Sequence, residues 1–321
     1  MKRGLVIGKF MPMHLGHIEL IKFAAQFCDE LIVSMSETPT DPIPADLRYT
    51  WLVNQFHFSP KIIIERVVDD FDHPNLPWPH RSKIWADFLR KRYPKIDMLI
   101  SSEDYGEYVS AHLQATHIMF DKNRNRVPIS ASNIRAEPFR YWEFIPEIVR
   151  PYFVKLICLY GPESTGKSTL AKKLAADYKT PVVPEVAREM ITSNSFTVED
   201  IIKIGYAQTE RIKDLRKKAN KFLFCDTDLI TTQIYCRHYL NIIPPILYEL
   251  EKEICYDQYF LMYPDVPWVA DGLRDLGHQR SEMFDVFKTE LDSRSIPYHV
   301  IDGNWSAREQ RVYNAVKELW K

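Results

Sequence analysis

A glycine-rich segment in the middle of the chain combines the residue types that bind a nucleoside triphosphate. Residues 161–168 read Gly-Pro-Glu-Ser-Thr-Gly-Lys-Ser, which fits the pattern G-x-x-x-x-G-K-[ST]. A strand-like apolar run, residues 153–160, precedes the segment, and a helical pattern, residues 167–178, follows it. In this context Lys167 reaches the β and γ phosphates and the Ser168 hydroxyl holds Mg²⁺. The predicted ATP–Mg²⁺ contacts are Gly161, Glu163, Ser164, Thr165, Gly166, Lys167, Ser168 and Thr169.

The start of the chain carries a second phosphate-binding pattern of a different kind. A short strand, residues 5–7, runs into Gly-Lys-Phe-Met-Pro-Met-His-Leu-Gly-His at residues 8–17, and a helical stretch follows. Glycines let the backbone approach a ligand closely. His14 and His17 fall at the mouth of the helix, where an imidazole can donate to a phosphate oxygen. Metal ligation and simple packing of the two histidines remain alternatives, although the sequence offers no third ligand at a matching spacing.

A basic, polar stretch at residues 121–135 predicts a further anion site. Ser130 and Ser132 lie at N-cap positions for a short helix that carries Arg135. Hydroxyls, free backbone N–H groups and a guanidinium together suit a phosphate. A solvated basic loop is the plain alternative.

Carboxylates follow two predicted strands in the second half of the chain. Glu185 and Arg188 come after the strand at residues 180–183, and Asp226 and Asp228 close the strand at residues 221–228. We predict that Glu185 takes the proton of an attacking hydroxyl or holds a ribose, and that Arg188 contacts substrate or phosphate. A P-loop enzyme places the acid that assists Mg²⁺ at such a strand end. We favour Asp228 for catalysis and keep Asp226 as the alternative and as a metal and substrate contact.

A segment rich in arginine and glycine follows the strand predicted at residues 257–263. Residues 264–280 contain Trp268, Asp271, Arg274 and Arg280. Two arginines on a mobile segment suit a phosphoryl-transfer lid, since closure would bring their charge to the phosphates. Trp268 and Asp271 are predicted substrate contacts. In the first half, Trp78 and Trp85 are candidates for stacking on a flat ring, with packing as the alternative for each.

The elements that position these residues alternate between strand and helix along the chain. That alternation predicts an α/β fold with parallel sheets and helices on both faces, and ligands at the carboxyl ends of the strands. The 321 residues suggest two domains. A proline-marked connector at residues 143–152 places the boundary near residue 150.

Composition excludes several classes of protein. The net charge of −1 gives no bulk field for nucleic acid or an anionic membrane. The five cysteines contain no C-x-x-C and indicate neither a disulfide framework nor a zinc site. No apolar run approaches the length of a membrane span. We therefore expect a cytoplasmic protein.

The motifs together resemble a known family. G-K-F-x-P-x-H-x-G-H followed by I-S-A-S-N-I-R about 110 residues later is similar to the nucleotidylyltransferase superfamily. Joined to a P-loop, the pattern resembles the bifunctional NadR family, in which nicotinamide mononucleotide adenylyltransferase is fused to ribosylnicotinamide kinase. Residues 101–108 and 264–274 resemble the wording of that family as well, so the likeness covers the whole chain. Some members begin with a helix-turn-helix domain; because the first strand starts by residue 5, we expect that domain to be absent.

The resemblance implies an activity for each half. Residues 1–150 would form a Rossmann-like nucleotidylyltransferase domain and residues 151–321 a P-loop kinase domain. It implies small-molecule substrates, namely ATP, nicotinamide riboside, nicotinamide mononucleotide and NAD, with no nucleic acid or membrane, and it leaves a homo-oligomer open. A nucleotide-sensing regulator and the same chemistry on another nucleoside and nucleotide pair are the alternatives. The implied ATP contacts of the transferase are Gly8, Lys9, Phe10, His14, His17, Ser130, Ser132 and Arg135.

Overall fold

A computed structural model describes residues 1–73, 75–191, 195–269 and 276–320 of the chain. The chain divides into two compact units, Met1–Arg150 and Pro151–Lys321. Within the described ranges, no helix has the length and apolar character needed to cross a membrane. Each unit is built around its own parallel sheet, so the predicted α/β class with two parallel sheets is confirmed.

The first unit is a five-stranded parallel sheet with the order β3-β2-β1-β4-β5. Its strands are β1 (Arg3–Gly8), β2 (Glu30–Glu37), β3 (Ile62–Val68), β4 (Met98–Ser101) and β5 (Thr116–Met119). Its helices are α1 (Leu15–Ala24), α2 (Ala45–Phe56), α3 (Trp78–Arg92), α4 (Tyr105–Leu113) and α5 (Ala131–Ala136), followed by a 3₁₀ turn at Trp142–Phe144. The strand order reverses at β1, where the chain crosses from one side of the sheet to the other. Ligands bind at such a switch point in open α/β sheets, so the loop after β1 occupies the expected position.

The second unit is also a five-stranded parallel sheet, with the order β10-β9-β6-β8-β7. Its strands are β6 (Lys155–Tyr160), β7 (Val182–Val183), β8 (Phe222–Asp226), β9 (Gln258–Met262) and β10 (Tyr298–Ile301). Its helices are α6 (Arg150–Phe153), which spans the division, α7 (Lys167–Asp177), α8 (Ala187–Met190), α9 (Val198–Arg216), α10 (Leu229–Leu240), α11 (Pro245–Lys252), α12 (Arg280–Ser293) and α13 (Trp305–Glu318), with a 3₁₀ turn at Gly277–Gln279. The central strand β6 carries the glycine-rich loop at its carboxyl end.

The burial pattern of the strands explains why these segments form central strands. All residues of β8 and five of the six residues of β6 are buried, as expected for a parallel sheet covered on both faces. In the first unit, β2 is buried along seven of its eight residues. Both phosphate-binding loops therefore start from rigid strands in the middle of a core.

Two local predictions differ from the structure. The strand that was expected to continue to Asp228 ends at Asp226, because Thr227 adopts φ +74° and Asp228 becomes the N-cap of α10. Ser132 is not an N-cap; only Ser130 caps α5, by accepting a 3.2 Å hydrogen bond from the backbone N–H of Asn133. In both cases one residue takes the capping position and its near neighbour does not.

Candidate active sites

The first candidate site lies where the loop after β1 meets the start of α5. A cavity of about 170 Å³ is lined by residues from both predicted phosphate motifs, together with Arg124 and neighbouring residues; its lining from the motifs includes His14, Gly16, His17, Ser130 and Ser132. The two motifs are more than 100 residues apart in sequence. The fold therefore brings together the histidines and the serines that the sequence singled out.

The two histidines of this site are neutral hydrogen-bonding groups. Their rings stack with centroids 3.7 Å apart, and the backbone N–H of His14 donates to Nδ1 of His17 over 3.4 Å. Burial, with the nearby Arg124 charge, lowers the pKa of His17 to about 3. Burial, with the neighbouring His17 and Arg124, also holds the pKa of His14 well below its ordinary value. Since Nδ1 of His17 accepts this hydrogen bond, the proton of the neutral ring lies on Nε2, which can donate to a phosphate oxygen.

One atom of His14 has an unmet hydrogen-bonding capacity. His14 is buried, and no group in the described part of the chain hydrogen bonds to its Nδ1. The Cβ of any side chain at Gly16 would lie 3.0 Å from that atom and 2.9 Å from Cε1 of the ring. Gly16 is thus required by the close approach of His14.

A larger cavity of about 360 Å³ adjoins the same residues. Gly8, Lys9, Phe10, His17 and Arg135 line it on the side of the phosphate motifs. On the other side its lining includes Asp69, Asp72, Trp78, Arg81, Trp85 and Tyr105. The cavity is therefore polar and cationic at one end and partly aromatic at the other.

Two cations of this cavity already have protein partners. Lys9 forms a 2.8 Å ion pair with Asp41. Arg135 donates to the carbonyl oxygen of Met11 and to the Ser132 hydroxyl at 3.2 Å. Arg135 thus fastens the loop after β1 to α5, and both cations stand at the cavity where a phosphate would meet them.

The two tryptophans predicted to stack on a flat ring, Trp78 and Trp85, have different surroundings in this cavity. Trp78 stacks against Tyr105 with ring centroids 5.2 Å apart, and the guanidinium carbon of Arg81 lies 4.1 Å from the centre of its ring. Trp85 is buried and packs against Phe71 in the core. Trp78 is the more accessible of the two rings. Asp69, Asp72, Arg81 and Tyr105 belong to none of the predicted site motifs, and only the fold brings them to the cavity.

The second candidate site surrounds the glycine-rich loop after β6. A cavity of about 340 Å³ is lined by the loop and by an apolar wall; its lining comprises Ser164, Thr165, Gly166, Lys167, Ser168, Thr169, Glu185, Arg188, Val266, Pro267, Val269 and Trp305. The Lys167 ammonium donates 2.8 Å hydrogen bonds to the carbonyl oxygens of Gly161 and Pro162. Gly166 adopts φ +89°, and a Cβ there would lie 2.5 Å from the Trp305 ring. The loop has the shape and the donors for a triphosphate.

Asp226 is a buried carboxylate beside this loop. It lies at the end of β8 and pairs in register with Leu159 of β6. Ser168 hydrogen bonds to it, while its buried Oδ1 has no partner among the described residues. Burial raises the pKa of Asp226, and the Lys167 charge opposes that effect.

Asp228, which the sequence favours for catalysis, occupies the N-cap position of α10 in the structure. It is 1% exposed and accepts 2.9 Å hydrogen bonds from the backbone N–H and the hydroxyl of Thr231 and from the Tyr259 phenol. Its carboxylate therefore caps α10 and fixes it to β9. Both aspartates follow the same apolar run in the sequence, and the turn at Thr227 gives them different surroundings.

An adjoining cavity of about 110 Å³ suits the acceptor of a transferred group. Lys167 and Glu163 line it beside the loop; Glu185, Ala187, Arg188, Ile191, Phe196, Thr231, Tyr235 and Tyr239 form the rest of its lining. Glu185 pairs with Arg188 at 2.8 Å. Glu185 and Arg188 were predicted from the sequence, whereas the aromatic residues, which come from α10 and from the segment before α9, carry no motif.

Two residues of this unit that were predicted to contact ATP or substrate, Arg280 and Trp268, do not line the two cavities described for it. The Arg280 guanidinium donates to the carbonyl oxygens of Ser164 and Val266 at 3.2 and 2.9 Å, so it fastens the loop instead of facing its cavity. A Cβ at Gly277 would lie 2.7 Å from the Trp268 ring, which is absent from the linings of both cavities described for this unit. Asp271 and Arg274 lie outside the described residues.

Comparison with known proteins places both units in recognised groups. The cytidylyltransferase-like family model matches residues 5–137, and the AAA domain model matches residues 156–308. A relative from Escherichia coli, the trifunctional NAD biosynthesis/regulator protein NadR, is 33% identical over 98% of this chain and 83% of its own length. A nicotinamide-nucleotide adenylyltransferase from Saccharolobus solfataricus is 30% identical over 32% of this chain and 59% of its own length.

Solved structures show the same fold. A crystal structure of NadR in complex with NAD and AMP-PNP superposes with a TM-score of 0.82 at 21% identity, covering 99% of this chain and 96% of the other. A crystal structure of NadR in complex with NR gives the same TM-score at 20% identity over the same shares. At these identities the superposition establishes the fold and nothing further.

Proposed function

The chain belongs to the NadR family, and from that premise we propose that it makes NAD in two ATP-dependent steps. The second unit phosphorylates the ribose 5′-hydroxyl of nicotinamide riboside to give nicotinamide mononucleotide. The first unit transfers the adenylyl group of ATP to that mononucleotide and releases pyrophosphate. One observation carries the proposal: in each unit the phosphate-binding loop opens on a cavity that extends to aromatic side chains.

In the adenylyl transfer the protein supplies positioning and charge. The substrate phosphate is already anionic at neutral pH, so its attack on the α-phosphorus of ATP needs no general base. Neutral His14 and His17, with Lys9 and Arg135, would bind the ATP phosphates, and Ser130 and Ser132 would hold the part that leaves as pyrophosphate. The nicotinamide mononucleotide would extend toward Trp78 at the aromatic end of the cavity.

In the phosphoryl transfer Glu185 would take the proton of the attacking ribose hydroxyl or hold the ribose. It lines both the cavity of the glycine-rich loop and the adjoining acceptor cavity. Tyr235 and Tyr239 offer flat apolar surfaces for the nicotinamide ring. Lys167 and the backbone N–H groups of the loop would bind the β and γ phosphates.

Mg²⁺ fits the residues beside the loop. The Ser168 hydroxyl and the buried Oδ1 of Asp226, which has no hydrogen-bond partner among the described residues, are oxygen ligands of the kind that Mg²⁺ takes. Asp226 could also act through water. When bound with ATP, the ion would neutralise charge on the phosphoryl group in transfer. This assignment makes Asp226, and not Asp228, the metal-side carboxylate.

A regulator that binds nucleotides without turnover is the competing function. Such a protein has no need of Lys167, Ser168, His14, His17 and Arg135 together, and all five are present at the two sites. The same chemistry on another nucleoside and nucleotide pair is the second alternative, and the acceptor must be identified by assay.

Product analysis tests the proposal directly. Purified protein with ATP–Mg²⁺ receives nicotinamide riboside in one reaction and nicotinamide mononucleotide in another, and the products are separated by chromatography. We expect mononucleotide and ADP from the first reaction, and NAD and pyrophosphate from the second. Turnover in one reaction alone would assign binding or regulation to the other site, and turnover in neither would overturn the proposed substrates.

A further inference from the structure

The two largest fully buried side chains of the described chain are arginines, one in each unit. We propose that Arg48 and Arg308 are positioning residues, each of which fixes the orientation of one peptide group in an ATP-binding loop. The inference rests on the proposed function for its assay. It concerns neither the loops' known sequence patterns nor the residues that touch the phosphates.

Arg48 stands behind the loop after β1. It occupies the fourth position of α2, and its side chain is 0% exposed. Its Nη1 donates to the carbonyl oxygen of Lys9 in the loop and, at 3.1 Å, to that of Ser36 in β2. Its Nε donates to Ile43 O at 3.0 Å, and its Nη2 pairs with Asp41 at 2.7 Å.

Arg308 stands behind the glycine-rich loop in the same way. It occupies the fourth position of α13, and its side chain is 0% exposed. Its Nη1 donates to the carbonyl oxygen of Thr165 in the loop at 3.0 Å, and its Nη2 donates to that of Tyr263 at 2.8 Å. Its Nε donates to Gly303 O at 2.8 Å, and its Nη2 pairs with Asp265.

The two arginines bond the same kinds of acceptor although the loops are unrelated in sequence. In both units the Nε bonds the carbonyl five residues earlier, an aspartate neutralises the guanidinium, and the remaining donors reach a loop carbonyl and a second strand-end carbonyl. Burying a guanidinium is costly unless every donor is paired. A planar fork that satisfies four acceptors at once can hold their relative positions, which a lysine ammonium cannot.

Peptide geometry links these bonds to catalysis. In a trans peptide the C=O and the following N–H point in opposite directions. A guanidinium that holds the Lys9 or Thr165 oxygen from behind therefore turns the N–H of Phe10 or Gly166 toward the phosphate side of the loop. Preorganised backbone donors of this kind stabilise the charge of the transition state.

Backbone conformation gives a reason for such a hold. The residue after each held carbonyl has a positive φ, +48° at Phe10 and +89° at Gly166. For a residue with a side chain this conformation costs free energy, and a flipped peptide would relieve it. The arginine bond opposes that flip, so the strained orientation at Phe10 persists because Arg48 is present.

Lysine substitutions test the proposal, since they keep the charge for the aspartate and remove the fork. We expect Arg48→Lys to lower kcat of adenylyl transfer by about 10- to 100-fold, and Arg308→Lys to lower kcat of riboside phosphorylation by a similar factor. In each case the KM of the acceptor stays within about threefold of its wild-type value, and the other unit's reaction, measured on the same sample, stays unchanged. Thermal unfolding confirms that each variant is folded at the assay temperature.

Matched controls come from arginines that bond backbone carbonyls at the amino ends of the strands. Arg3 donates to Lys95 O at 3.2 Å, and Arg216 donates to Pro151 O and Val154 O at 2.9 and 3.3 Å. Arg3→Lys and Arg216→Lys should leave both kcat values within about threefold. Retained kcat in Arg48→Lys and Arg308→Lys would overturn the proposal, as would equal losses of both reactions in either variant.

A separate measurement covers failure of the proposed substrates. If the wild-type protein turned over neither acceptor, the proposed function would be wrong. Calorimetric titration of AMP-PNP–Mg²⁺ into the wild-type and Arg308→Lys proteins would still test the positioning role. At least a tenfold weaker affinity in the variant supports it. An unchanged affinity overturns it.

Discussion

The Tyr259 phenol donates a 2.9 Å hydrogen bond to Oδ2 of Asp228. Together with the two bonds from Thr231, it occupies both carboxylate oxygens of a residue that sequence alone would place in the catalytic centre. Asp226, two residues earlier, keeps a buried oxygen with no partner among the described residues and lies beside Ser168. These contacts of Asp228 agree with the proposal that Asp226 is the carboxylate of the kinase reaction.

Asparagine substitutions separate the two aspartates. Asp226→Asn removes the charge beside Ser168 and should lower kcat for phosphorylation of nicotinamide riboside by about 100-fold or more. Asp228→Asn can still cap α10 and still meet Tyr259, so we expect kcat within about threefold of wild type. Steady-state assays at saturating ATP–Mg²⁺ measure both. A larger loss in Asp228→Asn than in Asp226→Asn would return the catalytic role to Asp228.

Asp228 should also make stability depend on pH. Burial raises its pKa from 3.8 to about 6 in the folded protein, so the folded state holds the proton more tightly than the unfolded state. The resulting stabilisation is complete below pH 4 and is lost as pH rises through 6, a change on the order of 3 kcal/mol. Asp228→Asn lacks this ionisation, while all other groups titrate in both proteins. The melting temperature should therefore fall more between pH 4 and pH 7 in the wild type than in the variant. Equal falls in the two proteins would contradict the shifted pKa.

Single substitutions should separate the two activities. Lys167→Ala removes the cation at the glycine-rich loop and should lower the kinase rate by about 10²–10³-fold while adenylyl transfer continues. His17→Ala removes a neutral donor from the other site and should do the reverse. Both reactions are measured on each purified variant. If either change silenced both activities, the two units would not act as independent sites.

Protonation of His17 should leave no mark on the pH profile of adenylyl transfer, so that wild type and a His17 variant show the same inflections, including that of the substrate phosphate. Burial and the Arg124 charge lower the pKa of His17 to about 3, so the imidazole is neutral throughout pH 5.5–8. Protonation of His17 therefore contributes no inflection to kcat/KM in that range. The measurement is kcat/KM for nicotinamide mononucleotide at several pH values in wild type and His17→Gln. An inflection near pH 6.5 that vanishes in the variant would mean that His17 acts as a charged group.

Aromatic residues of the acceptor cavity should determine the KM for nicotinamide riboside. Tyr235 lines that cavity, whereas Trp268 packs beside Gly277 and is 37% exposed. Loss of a stacked ring costs about 1 kcal/mol, so Tyr235→Ala should raise KM by about fivefold or more. Trp268→Ala should leave it within about twofold. The opposite order would restore the role that the sequence suggested for Trp268.

The chain's local patterns were sufficient to predict most of the fold. Alternating strand and helix signals predicted two parallel sheets, because each signal depends on residues that are close in sequence. The two phosphate-binding loops were predicted for the same reason, because the glycines, lysine and histidines of each motif lie in one short continuous segment of the chain. The helical pattern predicted at residues 167–178 is α7 (Lys167–Asp177), and the strand predicted at residues 257–263 is β9 (Gln258–Met262).

The tertiary structure decided which groups face a ligand and which support the fold. Asp226 and Asp228 look alike in sequence, and a positive φ at Thr227 sends one to the loop and the other to a helix cap. Arg48 and Arg308 carry no motif, yet the fold buries both behind phosphate-binding loops. Hydrogen bonds between distant segments fix these roles, and a pattern read along the chain cannot contain such partners. Sequence therefore determined the elements and the chemistry available, and long-range packing determined which side chains perform it.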